Sequence, residues 1–255
     1  MNALVGMHLL WLVACSNLKT ETGPDQSQFQ PDTLSDYSTA HLRFAYTSVD
    51  RDSIRAIAEY VEAHCIRIVA DLKPGSLSTI RIYLYATLKD MQEAIHWPNA
   101  PDWVKGAATG MNEIRMVSPN SRDIAGNTPY TSMLSCIVHE FAHCVTLHVN
   151  GTIANRPRWL WESVALYESR QFVDPKGLVY LRNGSQPSLD DLNDINDTRI
   201  YDVGYTIMEY VVNTWGVEAI GRLILLNGDL VNGLQLSPEE FQKSWFAYVA
   251  NKYLQ

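Results

Sequence analysis

The chain has 255 residues, 46% of them hydrophobic, which is enough to bury one substantial core. Its 28 acidic residues outnumber 20 basic ones, giving a formal charge of −8 with no compensating basic cluster. That balance excludes a nucleic-acid partner, and the expectation is a monomer with no internal repeats.

Ala3 to Ala14 is an apolar run of Leu, Val, Met and Trp. It is about half the length that crosses a bilayer as a helix, and it fits the core of a secretory signal. Leu12-Val13-Ala14-Cys15 resembles a bacterial lipobox, in which the cysteine is lipidated and becomes the new N-terminus. Met1-Asn2 lacks the Lys or Arg usual ahead of such a run. Ser16 to Asp36 is rich in Ser, Thr, Gln, Asp and Pro and buries too little to offset its ordering entropy. The expected organisation is a signal peptide over 1–14, a flexible tether over 15–38 and a folded domain over 39–255. Membrane attachment runs through lipidated Cys15, and the location is the cell envelope, facing outside the cytoplasm (periplasm or cell surface).

His41 to Tyr46 alternates and predicts a strand. Asp50 or Asp52 can cap a helix running to Leu72, ended by Pro74-Gly75. Thr79 to Tyr85 is the clearest strand, followed by a short helix from Leu88 to Ile95 and a strand over Met111–Val117. A helix over Thr131–Val149 ends at Asn150-Gly151, and a second covers Arg158–Phe172. Val173 to Thr198 is a polar excursion with one helical turn at Ser188–Leu192. Helices over Asp202–Trp215 and Val217–Leu226 follow, and Ser237-Pro238-Glu239-Glu240 opens a last one. A small mixed sheet followed by many helices makes the fold class α+β.

Within the Thr131–Val149 helix lies His139-Glu140-Phe141-Ala142-His143. Residues four apart share a helix face, so His139 and His143 converge on one ion. Glu140 sits about 100° round from His139, displaced from the ligand position but able to reach a water there. After eighteen intervening residues His143 is followed by Glu162, set among Trp159, Leu160, Trp161 and Val164. Carboxylates are almost never fully buried unless paired or bound to metal, so Glu162 supplies a third ligand of a two-His-one-Glu zinc site. The bland alternative is an ordinary core helix with satisfied histidines.

His139-Glu140-Phe141-Ala142-His143 and Trp161-Glu162-Ser163-Val164-Ala165-Leu166-Tyr167-Glu168 together resemble the gluzincin metallopeptidases, in particular the small bacterial peptidase-MA-like domains. Ser163 stands where that family commonly has Gly. The resemblance implies a zincin-like fold and Zn2+ held by His139, His143 and Glu162. It further implies Glu140 as general base, and an edge strand ahead of the metal helix that binds extended peptide. Arg199-Ile200-Tyr201-Asp202-Val203-Gly204-Tyr205 resembles the Tyr-containing segment after the third ligand in such peptidases, which makes Tyr205 the catalytic candidate for stabilising the oxyanion. Gly110-Met111-Asn112-Glu113 resembles an amine-binding element of gluzincin aminopeptidases with Asn and Glu exchanged. A one-residue offset flips a strand side chain, so Glu113 is expected to face solvent.

Asn127, Glu168 and Asp202 are candidates to orient the histidines, and Cys65, Cys136 and Cys144 are expected to be free and buried. The expected function is zinc-dependent hydrolysis of peptide bonds in peptides or proteins. The competing class is a catalytically silent, peptidase-like binding module on the envelope; the presence of Glu140 favours the enzyme.

Overall fold

Three strands read with the same alternation: Leu42 and Phe44, then Ile80, Ile82 and Leu84, then Ile114 and Met116 are all fully buried, while the residues between them turn outward. The computed structural model describes residues 34–255 except 125 and 127. The signal peptide, Cys15 and nearly all of the tether expected from the sequence lie outside the described residues, as does Asn127. Among the described residues, no helix is long and apolar enough to cross a membrane.

The strands are β1 (Ser35–Ser38), β2 (Leu42–Tyr46), β3 (Ile80–Tyr85), β4 (Gly106–Gly110) and β5 (Glu113–Val117). They form one mixed sheet in the order β1-β2-β3-β5-β4, with β2, β3 and β5 parallel and the two edge strands antiparallel to their neighbours. Helices α1 (Ile54–Leu72) and α3 (Tyr130–Val149) pack together and against this sheet, and α2 (Leu88–Ala94) packs on β3 and β5. The fold is therefore α+β: a five-stranded mixed sheet followed by helices.

Short helices over Val179–Arg182 and Leu230–Leu234 were not expected from the sequence, and four further details differ. Ser35–Ser38, assigned to the tether, pairs with β2 as an edge strand, so the fold starts before Thr39. Asp50 does not cap α1; it is buried and accepts hydrogen bonds from Ser118 Oγ at 2.5 Å and Asn120 Nδ2 at 2.8 Å. The strand expected at the edge, β5, is internal, and β4 takes the edge. Gly106-Ala-Ala-Thr-Gly110 has too few large side chains for the alternation to be seen, yet its smallness is what lets it lie close to β5. A Cβ on Gly106 would stand 2.9 Å from the Arg115 carbonyl oxygen and 2.6 Å from Met116 Cγ.

The fourth detail concerns α4, which covers Arg158–Glu168 and stops four residues short of Phe172. Arg170 takes a left-handed backbone (φ +58°), its N–H bonding to the Tyr167 carbonyl at 3.1 Å, while the Gln171 N–H bonds to the Leu166 carbonyl at 2.9 Å. This is a Schellman ending, normally signalled by Gly at the left-handed position. Arg in that place gives the sequence no stop signal.

Downstream come α5 (Val179–Arg182), α6 (Leu189–Asn193), α7 (Ile200–Trp215), α8 (Glu218–Leu225), α9 (Leu230–Leu234) and α10 (Pro238–Tyr253). The Ser188 and Ser237 caps both form reciprocal capping boxes, with Asp191 and Glu240 respectively. Helix α7 lies close against α4 because Gly204 has no side chain: a Cβ there would come 2.7 Å from Leu166 Cδ1 and 3.1 Å from Ser163 Oγ. A buried clamp holds the excursion between them, with Arg158 Nη1 donating to the carbonyls of Leu192, Asp194 and Asp197 at 3.2, 2.9 and 3.0 Å.

Candidate metal centre

Helix α3 is buried without interruption from Cys136 to Thr146, so its polar residues there must find partners inside the protein. His139 and His143 lie one turn apart with ring centroids at 4.6 Å, nearly perpendicular at 86°. The His143 ring stacks on Trp161 of α4, 4.1 Å between centroids and 6° from parallel. That contact fixes the plane of the imidazole and carries the next residue, Glu162, into the same space.

The Glu162 carboxylate meets both imidazoles: its Oε2 is 3.4 Å from His139 Nε2 and 3.8 Å from His143 Nε2. All three side chains are at most 1% exposed, and none of these three atoms has a well-formed hydrogen bond. Glu140 is also fully buried; the Ala108 N–H of edge strand β4 donates to its Oε2 at 2.6 Å, while Oε1 has no partner. Donor atoms of His139, Glu140 and His143 lie within 4.8 Å of one another, and this buried group can hold a metal ion. Three unsatisfied polar atoms, His139 Nε2, His143 Nε2 and Glu162 Oε2, meeting in one buried place are costly unless something positively charged completes them.

Electrostatics in the metal-free protein point the same way. Burial pushes the Glu140 carboxyl up to about 8, against the opposing pull of the His139 charge and the Ala108 N–H. Burial, reinforced by the His139 charge, holds His143 well below its usual value, so its ring is neutral and able to ligate. For His139 burial opposes protonation, but the adjoining Glu162 and Glu140 carboxylates outweigh it and the net shift is upward.

Of the sequence-derived orienting residues, Asn127 lies outside the described residues, and Glu168 and Asp202 have other partners. Glu168 is buried against Arg67 of α1, which bonds both its carboxylate and its backbone carbonyl. Asp202 accepts from the Tyr180 hydroxyl at 3.0 Å. The group that meets His139 is Gln171, whose Oε1 accepts from Nδ1 at 2.8 Å. Neutral, polar and placed after a helix end that the sequence does not mark, it carried no signal that spacing could have found.

Tyr205 packs its ring on Tyr167 at 5.4 Å and Phe172 at 5.2 Å, and its ring contacts do not include the imidazoles. Glu113 accepts from Thr109 Oγ1 at 2.8 Å and Arg115 Nε at 2.7 Å on the sheet surface. Cys65, Cys136 and Cys144 are free and buried, and Cys144 Sγ points to the Gly110 carbonyl at 3.4 Å rather than to the histidines. No protein-family model matches the chain, and no curated protein matches it.

Proposed function

We propose that this protein is a zinc-dependent hydrolase of peptide bonds, with His139, His143 and Glu162 as metal ligands and Glu140 as general base. The observation that carries the reading is the convergence of Glu162 Oε2 on both Nε2 atoms, 3.4 and 3.8 Å away, with none of the three otherwise satisfied. Two imidazoles and one carboxylate suit zinc and leave a fourth position open, the pattern of catalytic rather than structural sites. Bound there, zinc would polarise a water and the scissile carbonyl.

Glu140 does the proton work. Ala108 holds its Oε2, which fixes the carboxylate and leaves Oε1 to take a proton from the attacking water and pass it to the departing amine. Burial raises its proton affinity in the metal-free protein, and a bound dication would draw it back down, keeping Glu140 ionised to accept the proton. The edge strand β4, which supplies the Ala108 N–H, is the natural place for an extended peptide to pair. The zincin-like fold class belongs to the same reading, resting on the sheet, the helix beside its edge strand and the ligand pair on that helix.

The deciding experiment compares purified protein with Glu140→Gln, each loaded with zinc and offered casein or a mixed peptide library. We expect one zinc per chain in both and a loss of turnover in the variant of about 10²–10⁴-fold. Unchanged turnover in the variant overturns the mechanism, and zinc binding without turnover in the native protein favours the silent binding module. Attachment through Cys15, inferred from the apolar run and the lipobox-like segment, is tested separately by labelled-palmitate incorporation in cells, which Cys15→Ser should abolish.

A further inference from the structure

The two candidate ligand histidines lie on α3, but among the described residues only one has its far ring nitrogen engaged. His139 Nδ1 meets Gln171 Oε1 at 2.8 Å, whereas His143 Nδ1 has no partner and relies on Trp161 for its orientation. The Gln171 amide has two further neighbours: Ser169 Oγ lies 3.0 Å from its Oε1, and its Nε2 donates to Cys136 Sγ at 3.7 Å. Its carbonyl end faces the imidazole, the sense that ligation through Nε2 requires.

The backbone under Gln171 is fixed from both sides. The left-handed turn at Arg170 swings the chain back across the end of α4, and Arg67 grips that end at Glu168. One residue on, Phe172 lodges between the rings of Tyr205 and Tyr253, at 5.2 and 5.4 Å. Segment 169–172 is thus a short strap whose inner side chain reaches the metal centre and whose outer one is pinned by α7 and α10.

We propose that Gln171 is a positioning residue of this centre: its amide carbonyl fixes His139 as the Nδ1–H tautomer, turning the Nε2 lone pair towards Glu162. The inference rests on the metal-centre reading above. An amide suits the place better than the carboxylate often found behind a ligating histidine. Glu140 and Glu162 already balance a dication, and a third carboxylate would leave a buried excess of negative charge. This gives Tyr205 and Phe172 a place in the arrangement too, as the packing that keeps the strap closed.

The test measures zinc affinity by competition with a chromogenic chelator, and exchange of the His139 Nδ1 proton in zinc-loaded, 15N-histidine-labelled protein. Native protein, Gln171→Ala, Gln171→Glu and His139→Ala are compared, with thermal melts of the metal-free forms as a folding check. Gln171→Ala should bind zinc about 10–100-fold more weakly and lose the slowly exchanging Nδ1 proton. Gln171→Glu keeps the acceptor and should retain the slowly exchanging proton, while its added buried charge should lower the melting temperature of the metal-free form. If Gln171→Ala binds within twofold of native while His139→Ala does not bind, the role of Gln171 is overturned and the metal centre stands. If native protein takes up no zinc, the metal-centre reading falls and takes this proposal with it.

Discussion

Glu162 places its Oε2 3.4 and 3.8 Å from two ring nitrogens and, among the described residues, that oxygen has no hydrogen-bond partner. Its legibility in the sequence came from a mismatch, a carboxylate in a helix otherwise lined by Trp, Leu and Val. His139 and His143 were legible for a simpler reason, since a four-residue spacing is a local property of any helix. Gln171 was not, because its reach depends on a left-handed arginine that no propensity favours. Tyr205 provides a sharp test at this scale. The packing against Tyr167 and Phe172 needs the ring and not the hydroxyl. Tyr205→Phe should therefore leave turnover within about threefold of native and melting unchanged, whereas loss of an oxyanion donor costs roughly 10²–10³ in kcat. A fall of that size in steady-state assays would place the Tyr205 hydroxyl in the chemistry. Glu162→Ala should reduce the zinc content of purified protein, measured by atomic emission, from one per chain towards none.

At the scale of elements, the hairpin of β4 and β5 governs how Glu140 is held. Its narrow spacing at Gly106 leaves no room for a methyl group beside the Arg115 carbonyl. Gly106→Ala should cost about 1–3 kcal/mol of stability through that overpacking. It should also lower turnover with zinc content intact, because moving β4 displaces the Ala108 N–H from Glu140. Denaturant unfolding alongside peptide hydrolysis checks both; a variant as stable and active as native would show that β4 has slack. The α4–α7 contact solves the same steric problem from the opposite side. A Cβ at Gly204 would stand 3.1 Å from Ser163 Oγ and 2.7 Å from Leu166 Cδ1, so the glycine leaves room for both side chains of the facing helix. Alternation and caps made β2, β3, α6 and α10 readable, whereas β4 escaped notice because glycine and alanine leave no pattern to read.

For the whole molecule, the centre joins α3 to α4, so metal binding should stabilise the entire domain. A ligand that binds only the folded state at a hundredfold excess over its Kd contributes about 2.7 kcal/mol. In a domain of this size that is roughly 5–10 °C, to be seen as a drop in Tm on chelation by EDTA. An unchanged Tm would count against the site. The metal-free protein should also grow less stable as pH rises. Burial pushes Glu168 from 4.5 up to about 7 despite Arg67, so the folded state keeps a proton that the unfolded chain has already released. Its contribution is complete below about 4.5 and is lost as pH rises through about 7. Glu168→Gln should flatten that part of the stability–pH curve, and a curve unchanged by the substitution would show that the carboxyl titrates normally. By itself the sequence determined what short-range geometry dictates: the imidazole pair, the capped helices, the alternating strands and the α+β class. Only the tertiary structure decided which strand is the edge, what holds Glu140, and which amide meets His139. Those depend on register and on contacts between residues about 30 apart in the chain, 32 in the case of both Ala108–Glu140 and His139–Gln171. No local periodicity encodes such distances, so they exist only once the chain has packed.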